Sequence, residues 1–334
     1  MGLNSNDPEH FDSSWQGASS GDTFNGKSSQ TATGTGKVEH ARLHDSSVQT
    51  LLDQATSTSS VFSASSIQSA GGSASSRQDI FLDQSEQVLN GSAQASGDAF
   101  SGHASQQLNE SATASNDTFH GNASQNLNSP QSHAGNESFY DQSVQNIKAD
   151  ASAGAAFYNN AALQMSGGSS TGAIFNNISR FNVQGGAINN ATLNDNATGL
   201  LGGEGVATGM TLVNDHASLT IVARPAFDPV SRQAEEVMLN GGTLDVSAPA
   251  GNNPNPVATI RDLTVNGGTV QFTDTHPDAN GHFTGLDVDT LSGSGGTLAF
   301  NASLADTKSN VLTARTIGPG HYHLRINDAS DSKA

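Results

Sequence analysis

The chain has 334 residues, of which 34% are hydrophobic and only 5% aromatic, so it cannot build a thick globular core. Its formal net charge of −18 argues against nucleic acid and anionic membrane surfaces as partners, because both attract lysine and arginine. The absence of cysteine excludes a disulfide scaffold and a thiolate metal site. Two fold classes remain, a disordered chain and a thin core made from stacked repeats.

The first predicted element is a polar N-terminal segment, 1–20, which we expect to be disordered. No stretch of the sequence has the pattern of a signal peptide or a transmembrane helix. If the protein is exported, we expect a leader to have been removed.

A 19-residue repeat fills the segment 21–166, and a column of glutamines marks it. The glutamines recur with this 19-residue period and a single step of 20, at Gln30, Gln49, Gln68, Gln87, Gln106, Gln125, Gln145 and Gln164. Six positions before each stands a large apolar side chain: Phe24, Leu43, Phe62, Phe81, Phe100, Phe119, Phe139 and Tyr158. The longer step contains Pro130, which we interpret as a one-residue insertion in a corner loop.

Three further columns support this alignment. An aliphatic side chain follows the glutamine by two positions at Leu51, Leu89, Leu108, Leu127 and Ile147. A small residue follows it by six positions at Gly36, Ala55, Ala74, Ala93, Ala112 and Ala151, and one position later at Ser132. Aspartate stands two positions before the aromatic residue at Asp22, Asp79, Asp98 and Asp117.

These columns predict short β-strands stacked in 19-residue rungs, because serine, threonine, glycine and asparagine disfavour helix. The aromatic and aliphatic columns are expected to point inward. For the glutamines two positions stay open: a corner of the rung, or a buried ladder of amides hydrogen-bonded along the axis. The alternative is a disordered serine-rich repeat, but such a chain buries nothing and gives no reason for a regular aromatic column.

From about Gly167 the 19-residue phase is lost, and the segment 167–262 is typical of a β-helix with longer rungs. Its signature is a strand, a Gly-Gly-Thr bend and a second strand. Copies of this motif span 238–246, 263–272 and 291–300, and a 26-residue step and then a 28-residue step separate their threonines Thr243, Thr269 and Thr297. Loops between rungs are predicted at 224–232, 252–256 and 273–278.

Towards the C terminus the Gly-Gly-Thr strand is followed by Phe283 and the sequence Leu-Asp-Val-Asp-Thr-Leu-Ser-Gly at 286–293. A Leu-Ala-Asp loop at 304–306 and a closing Gly-His-Tyr-His-Leu at 320–324 come next. This order resembles the C-terminal passenger region of pertactin-like autotransporters, so 263–334 is identified as an autochaperone-like region. The 19-residue repeats are similar to those of AIDA-type self-associating adhesins, which belong to the same secretion class.

The resemblance implies an all-β fold, a right-handed parallel β-helix. It also implies a place on the bacterial cell surface, or secretion across the outer membrane. In such proteins the C-terminal rungs nucleate folding outside the cell, and an outer-membrane barrel in the full-length protein anchors the passenger. Related adhesins carry heptose on repeat serines and threonines, so O-glycosylation is an expectation at the level of the family.

No catalytic, cofactor-binding or metal-binding residue is predicted. Ser294, between two glycines, lacks the full motif and the context of a nucleophile elbow. Asp287 and Asp289 should both face outward on one strand, and two carboxylates are an incomplete shell for Ca²⁺. His103, His120 and His133 fall at different phases of the repeat and are not expected to stack.

The sequence therefore predicts a passenger of a type V autotransporter that is not an enzyme and needs no cofactor. It is expected to act in adhesion or self-association, including autoaggregation and biofilm formation. Its expected partners are other copies of the passenger, or ligands on host and abiotic surfaces. Two alternatives remain: a β-helix enzyme that acts on polysaccharides, and a passive stalk that presents another module.

Overall fold

The computed structural model describes residues 12–149, 151–225, 232–249, 255–274, 281–305 and 307–330. Within these ranges the chain forms strands and turns without an α-helix, and nearly all strand pairs are parallel. The prediction of an all-β, parallel β-helix is confirmed. The chain divides into two compact units, Met1–Gln164 and Met165–Ala334. None of the described residues belongs to a helix with the length and hydrophobicity needed to cross a membrane.

In the first unit each rung adds one strand to each of three parallel ladders. The four-residue strands are Asp12–Trp15, Ser29–Ala32, Val48–Leu51, Ile67–Ala70, Glu86–Leu89, Ser105–Leu108, Ser124–Leu127 and Val144–Ile147. The three-residue strands are Ala18–Ser20, Lys37–Glu39, Thr56–Thr58, Ser75–Arg77, Gln94–Ser96, Thr113–Ser115, His133–Gly135 and Ala151–Ala153. The two-residue strands are Thr23–Phe24, Arg42–Leu43, Val61–Phe62, Ile80–Phe81, Ala99–Phe100, Thr118–Phe119, Ser138–Phe139 and Ala156–Phe157.

The register of the ladders follows the predicted columns. Gln68 lies opposite Gln49, its counterpart in the preceding 19-residue repeat. Where the longer repeat begins, His133 lies opposite Thr113, after a 20-residue step. The additional residue therefore lies in the turn that contains Pro130, as predicted.

Ordered strands begin inside the polar segment 1–20. Asp12–Trp15 pairs in parallel with Ser29–Ala32, and Ala18–Ser20 pairs in parallel with Lys37–Glu39. Ser19 points inward and is 8% exposed, so a small polar side chain fills a core position there. Residues 12–20 therefore form strands of a rung despite their polar composition. The expected disorder does not extend over these residues.

The aromatic column is an internal stack, as predicted. The ring centroids of Phe62 and Phe81 lie 4.6 Å apart with 8° between the ring planes, and equally close stacking continues to Phe139. Leu43 is fully buried in the same column, between Phe24 and Phe62. Isolated aromatic pairs prefer offset or edge-to-face geometry, but the strand register holds these rings one rung apart, at about 4.8 Å.

The structure places the glutamines in a buried ladder and not at a corner. The amide Nε2 of Gln49 donates to Oε1 of Gln30 at 2.7 Å, and this bond repeats along the column. All side chains from Gln30 to Gln145 in the column are buried. Because each amide satisfies the next, the interior tolerates polar groups that would be costly without partners.

The aromatic assignment at the last repeat is wrong by one position. Phe157, and not Tyr158, stacks on Phe139, with ring centroids 4.9 Å apart. Tyr158 is half-buried and stacks on the neighbouring Tyr140 at the same distance. Both residues of this pair are aromatic, so the sequence alone did not show the shift.

The shift comes from a shorter turn after Ile147. Ala151 lies opposite His133 after a step of only 18, so it belongs to an outward position and not to the small inward column. In the same rung Leu163 is fully buried, whereas Gln164 is half-buried. The predicted glutamine column therefore ends one member early, at Gln145, whose Oε1 has no hydrogen-bond partner.

In the second unit the strands are longer and less uniform. Ala162–Thr171 contains the boundary, and the following strands are Ile174–Phe175, Arg180–Asn189, Thr192–Leu193, Thr198–Leu201, Val206–Asn214, Ser218–Val222, Arg224–Pro225, Ala234–Asn240, Thr243–Ser247, Pro256–Asn266, Thr269–Phe272, Gly285–Ser294, Thr297–Ser303, Lys308–Ser309, Val311–Ile317 and His323–Asp328. The three Gly-Gly-Thr copies align, since Thr269 lies opposite both Thr243 and Thr297. Much of the predicted loops at 224–232, 252–256 and 273–278 lies outside the described residues.

The two glycines of each Gly-Gly-Thr copy have different tasks. Gly267 has a φ of 72°, a left-handed conformation that side chains disfavour. A Cβ atom on Gly268 would lie 2.5 Å from the carbonyl oxygen of Gly242 in the adjacent copy. The motif therefore allows a tight bend and a close approach of successive rungs.

Candidate functional site

A groove of about 530 Å³ lies on the face that the three-residue strands of the first unit form. Its lining residues are Thr58, Ser75, Ser76, Arg77, Gln78, Gln94, Ala95, Ser96, Gly97, Thr113 and Ser115. The middle residue of each strand, such as Ser76 or Ala95, points inward and is buried. Its two neighbours therefore point outward, and the stacked core presents them at the rung spacing of about 4.8 Å.

The groove offers hydrogen bonds and almost no charge. Hydroxyl and amide groups, which both donate and accept, dominate its lining. The hydroxyl of Ser115 donates to Oγ of Ser96 at 3.4 Å, which orders two neighbouring rungs. Arg77 is the one charged residue among the lining residues, and none of them is acidic. This chemistry suits binding of a polar partner along several rungs.

Exposed carboxylates lie on the turns instead. Oδ2 of Asp83 accepts the backbone N–H of Ala64 at 3.1 Å, one rung earlier. The same contact to the preceding rung recurs at Asp45, Asp53, Glu110 and Asp141. In a chain with a net charge of −18, the groove is thus a strip without carboxylates.

The acidic residues considered for Ca²⁺ face outward on the strand Gly285–Ser294, as expected. Asp287 is exposed. Asp289 forms ion pairs with Arg232 at 2.5 Å and with Arg315 at 3.3 Å, so its carboxylate already has cationic partners. Over the described ranges, no group of three or more His, Asp or Glu side chains is placed to hold a metal.

The other residues singled out in the sequence also stay apart. His103 and His133 are exposed on different elements, and His120 stacks on Tyr140 with ring centroids 4.7 Å apart. Ser294 is exposed at the end of the strand Gly285–Ser294.

Sequence reasoning missed the groove and the fate of the aspartate column. The groove arises from outward positions whose residues vary from rung to rung, so no column marks it. The aspartates two positions before the phenylalanines are buried, and Glu137 continues their column. The signal for this column was its period, since Asp79, Asp98 and Asp117 recur at the 19-residue spacing.

Two comparisons with known proteins are informative. Residues 260–334 match the sequence model of the family described as Pertactin. The crystal structure of a TibA fragment, hyper-glycosylated by TibC, has a TM-score of 0.62 and 14% sequence identity. That match covers 90% of this chain and 99% of the fragment, and at such low identity it shows the fold alone. No curated protein sequence matches this chain.

Neither comparison points to an enzyme. The pertactin match falls on the block that resembled pertactin-like passengers in the sequence, and the resemblance is thereby confirmed. The chain therefore has a β-helical fold, and its residues 260–334 are similar to the Pertactin family of autotransporter passengers, a class displayed on the bacterial surface or secreted via the outer membrane.

Proposed function

We propose that this passenger acts in adhesion or self-association, and that the groove of the first unit is its contact surface. The observation that carries the proposal is the lining of the groove: repeated hydroxyl and amide groups without a carboxylate, in a strongly acidic chain. Each contact made there is weak, but contacts repeated in register along the rungs add avidity. The partner is a second copy of the passenger or a polar ligand on a host or abiotic surface.

Net charge gives this function a salt dependence. Two copies that each carry a charge of −18 repel one another at low ionic strength. Salt screens that repulsion, with a Debye length that falls to about 8 Å at physiological ionic strength. Clumping of cells that display the full passenger should therefore strengthen as salt is added, which a settling assay measures.

A matched pair of variants tests the groove itself. Gln94→Glu with Ser96→Glu places two negative charges in the groove, on the strand Gln94–Ser96. Gln107→Glu with Ser105→Glu places the same charges on the neighbouring strand Ser105–Leu108, outside the groove. The groove variant should lose clumping or surface attachment, and the control should keep it. Equal behaviour of both variants would remove the groove from the mechanism.

Neither alternative gains a specific observation. The groove has Arg77 as its one charged lining residue, so it lacks the cluster of ionisable residues that a polysaccharide-acting site would need. A passive stalk would predict unchanged clumping in the groove variant.

A further inference from the structure

Four carboxyl side chains are stacked inside the first unit, one on each of four successive rungs. Asp79, Asp98, Asp117 and Glu137 are each at most 1% exposed. No lysine, arginine or histidine among the described residues is buried. We call these four residues the acid column; Asp22 is buried at the equivalent position three repeats earlier and is separate from them. The acid column has no positive charge beside it in the core.

The column has a structural task that does not need a charge. Oδ1 of Asp98 accepts the backbone N–H of Asp79 at 2.9 Å, which satisfies a buried donor at the corner of the rung. Before the acid column begins, Oγ of Ser60 does the same for the backbone N–H of Ala41 at 3.2 Å. Because a neutral serine serves at one rung, ionised carboxylates are not required at the others.

Hydrogen bonds favour the ionised form of these carboxyls, but burial opposes it more strongly. Oδ2 of Asp98 accepts from the amide of Gln87 and from the hydroxyl of Ser76, each at 2.7 Å. Burial is nevertheless the largest influence, and the neighbouring carboxyls of Asp117 and Asp79 add repulsion. Together they hold the pKa of Asp98 well above its ordinary value of 3.8. Burial and the charge of Glu137 likewise hold the pKa of Asp117 well above 3.8.

Glu137 ends the acid column and is the least well satisfied of the four. Its Oε2 accepts the backbone N–H of Asp117 at 2.6 Å, while its Oε1 is buried without a hydrogen-bond partner. Ionisation of this buried carboxyl is costly, although hydrogen bonds from Gln125 and from the backbone of Gly135 partly offset the cost. Burial accordingly raises the pKa of Glu137 from 4.5 to about 8.

The ionisable groups on the flanking strands and turns do not offset this. They point outward and are exposed or half-buried: Arg77, Asp83, Glu86, His103, Glu110, His120, His133, Tyr140, Asp141 and Lys148. The acid column thus responds to pH through its own carboxyl groups.

We propose that the acid column is a proton-linked conformational device, which holds its rungs firmly when protonated and loosens them when it ionises. The sign follows from linkage. Each folded pKa lies above the ordinary value, so the stabilisation is complete below about pH 4 and is lost as pH rises through the folded pKa. For Glu137 the loss runs from pH 4.5, the ordinary pKa, to the folded pKa of about 8. Oγ of Ser76 lies within hydrogen-bond distance of both Asp79 and Asp98, and the strand Ser75–Arg77 that carries it lines the groove. The rungs of the acid column therefore also carry the proposed contact surface.

Thermal unfolding of the full chain between about pH 5 and about pH 9 tests the proposal. The Tm of the unmodified protein should fall by about 5 °C or more over that range. Asp98→Ser with Asp117→Ser, which copies the arrangement at Ser60, should flatten the dependence. The control variant, Asp45→Asn with Asp83→Asn, removes two exposed carboxylates and should leave the pH dependence of Tm unchanged. If Tm fell equally with pH in the Asp98→Ser, Asp117→Ser variant and in the unmodified protein, the proposal would be overturned.

A second measurement needs no variant. The infrared spectrum of the unmodified protein near neutral pH should contain the carbonyl band of protonated carboxylic acid, because exposed carboxyls are ionised there. The band should disappear as the pH is raised beyond the folded pKa of the column. Absence of this band in the folded protein at about pH 6 would contradict the proposal, whatever the stability of the variants.

Discussion

The first unit stacks identical side chains, whereas the second packs unlike aliphatic ones. In the first, phenylalanine lies on phenylalanine and glutamine on glutamine, and in most rungs one 19-residue repeat separates the ladder partners. In the second, a 28-residue step separates partners such as Thr269 and Thr297, and the buried side chains are mainly leucine, valine and isoleucine. Short rungs have little room for apolar volume, so they depend on aligned rings and on satisfied amides.

This comparison shows how a chain with few hydrophobic residues can form a packed core. A hydrophobic fraction of 34% is too low for a thick core, yet regular stacking makes each buried polar group the partner of its copy. The second unit uses amide ladders too, but on its surface: Asn240 donates to Asn214 at 3.0 Å and is exposed. An amide–amide hydrogen bond therefore contributes more to the free energy of unfolding inside the solenoid than on its surface.

The largest loss of stability is expected when one phenylalanine of the aromatic stack is truncated. Phe100 is fully buried between Phe81 and Phe119. Phe100→Ala should lower the free energy of unfolding of the first unit by about 3–5 kcal/mol, since it leaves a cavity that fixed neighbours cannot fill. Urea unfolding measures the loss, and hydrogen exchange assigns it to the first unit. Leu52→Ala, at a side chain that is 40% exposed, is the control and should cost far less. A comparable loss in both variants would mean that the stack is not what holds the unit.

A smaller effect is expected from interruption of the glutamine ladder. Gln87 donates to Gln68 at 2.8 Å and accepts from Gln106 at 2.7 Å. Leucine fits this column, as Leu163 is fully buried in the last rung, so Gln87→Leu chiefly removes hydrogen bonds. We expect a loss of about 2–4 kcal/mol in the free energy of unfolding, because Gln68, Gln106 and Asp98 each lose a buried hydrogen bond.

Two controls sharpen this comparison, both read from the same urea curves. Gln164→Leu, at a half-buried position outside the ladder, should change stability little. Asn240→Ser, in the exposed ladder of the second unit, should cost less than about 1 kcal/mol, since water replaces the lost partner. If Asn240→Ser and Gln87→Leu lowered the free energy of unfolding equally, burial would not determine how much an amide ladder stabilises the protein.

The sequence was sufficient to predict the columns, because a buried position must repeat in every rung. It did not decide between the two positions for glutamine, since a corner between Phe62 and Gln68 breaks the simple alternation of a strand. It also could not reveal the shortened step after Ile147, because Phe157 and Tyr158 both suit an aromatic column. The right-handed winding and the domain boundaries near 167 and 263 stay predictions.

The binding surface was beyond prediction for a physical reason. Outward positions need not repeat, so the residues that line the groove leave no periodic signal. Carboxyl side chains are rarely buried in a protein core. The 19-residue period of the column that contains Asp98 was therefore not enough to predict its burial.

The central claim, that the groove makes the contact, is tested most directly by protection of single cysteines. The chain contains no cysteine, so Ser96→Cys in the groove and Ser105→Cys outside it each supply one reactive thiol. The rate of maleimide labelling is measured on dispersed cells and on clumped or surface-attached cells. We expect slower labelling at position 96 in the clumped or attached state and an unchanged rate at position 105. Equal rates at position 96 in both states would contradict the claim.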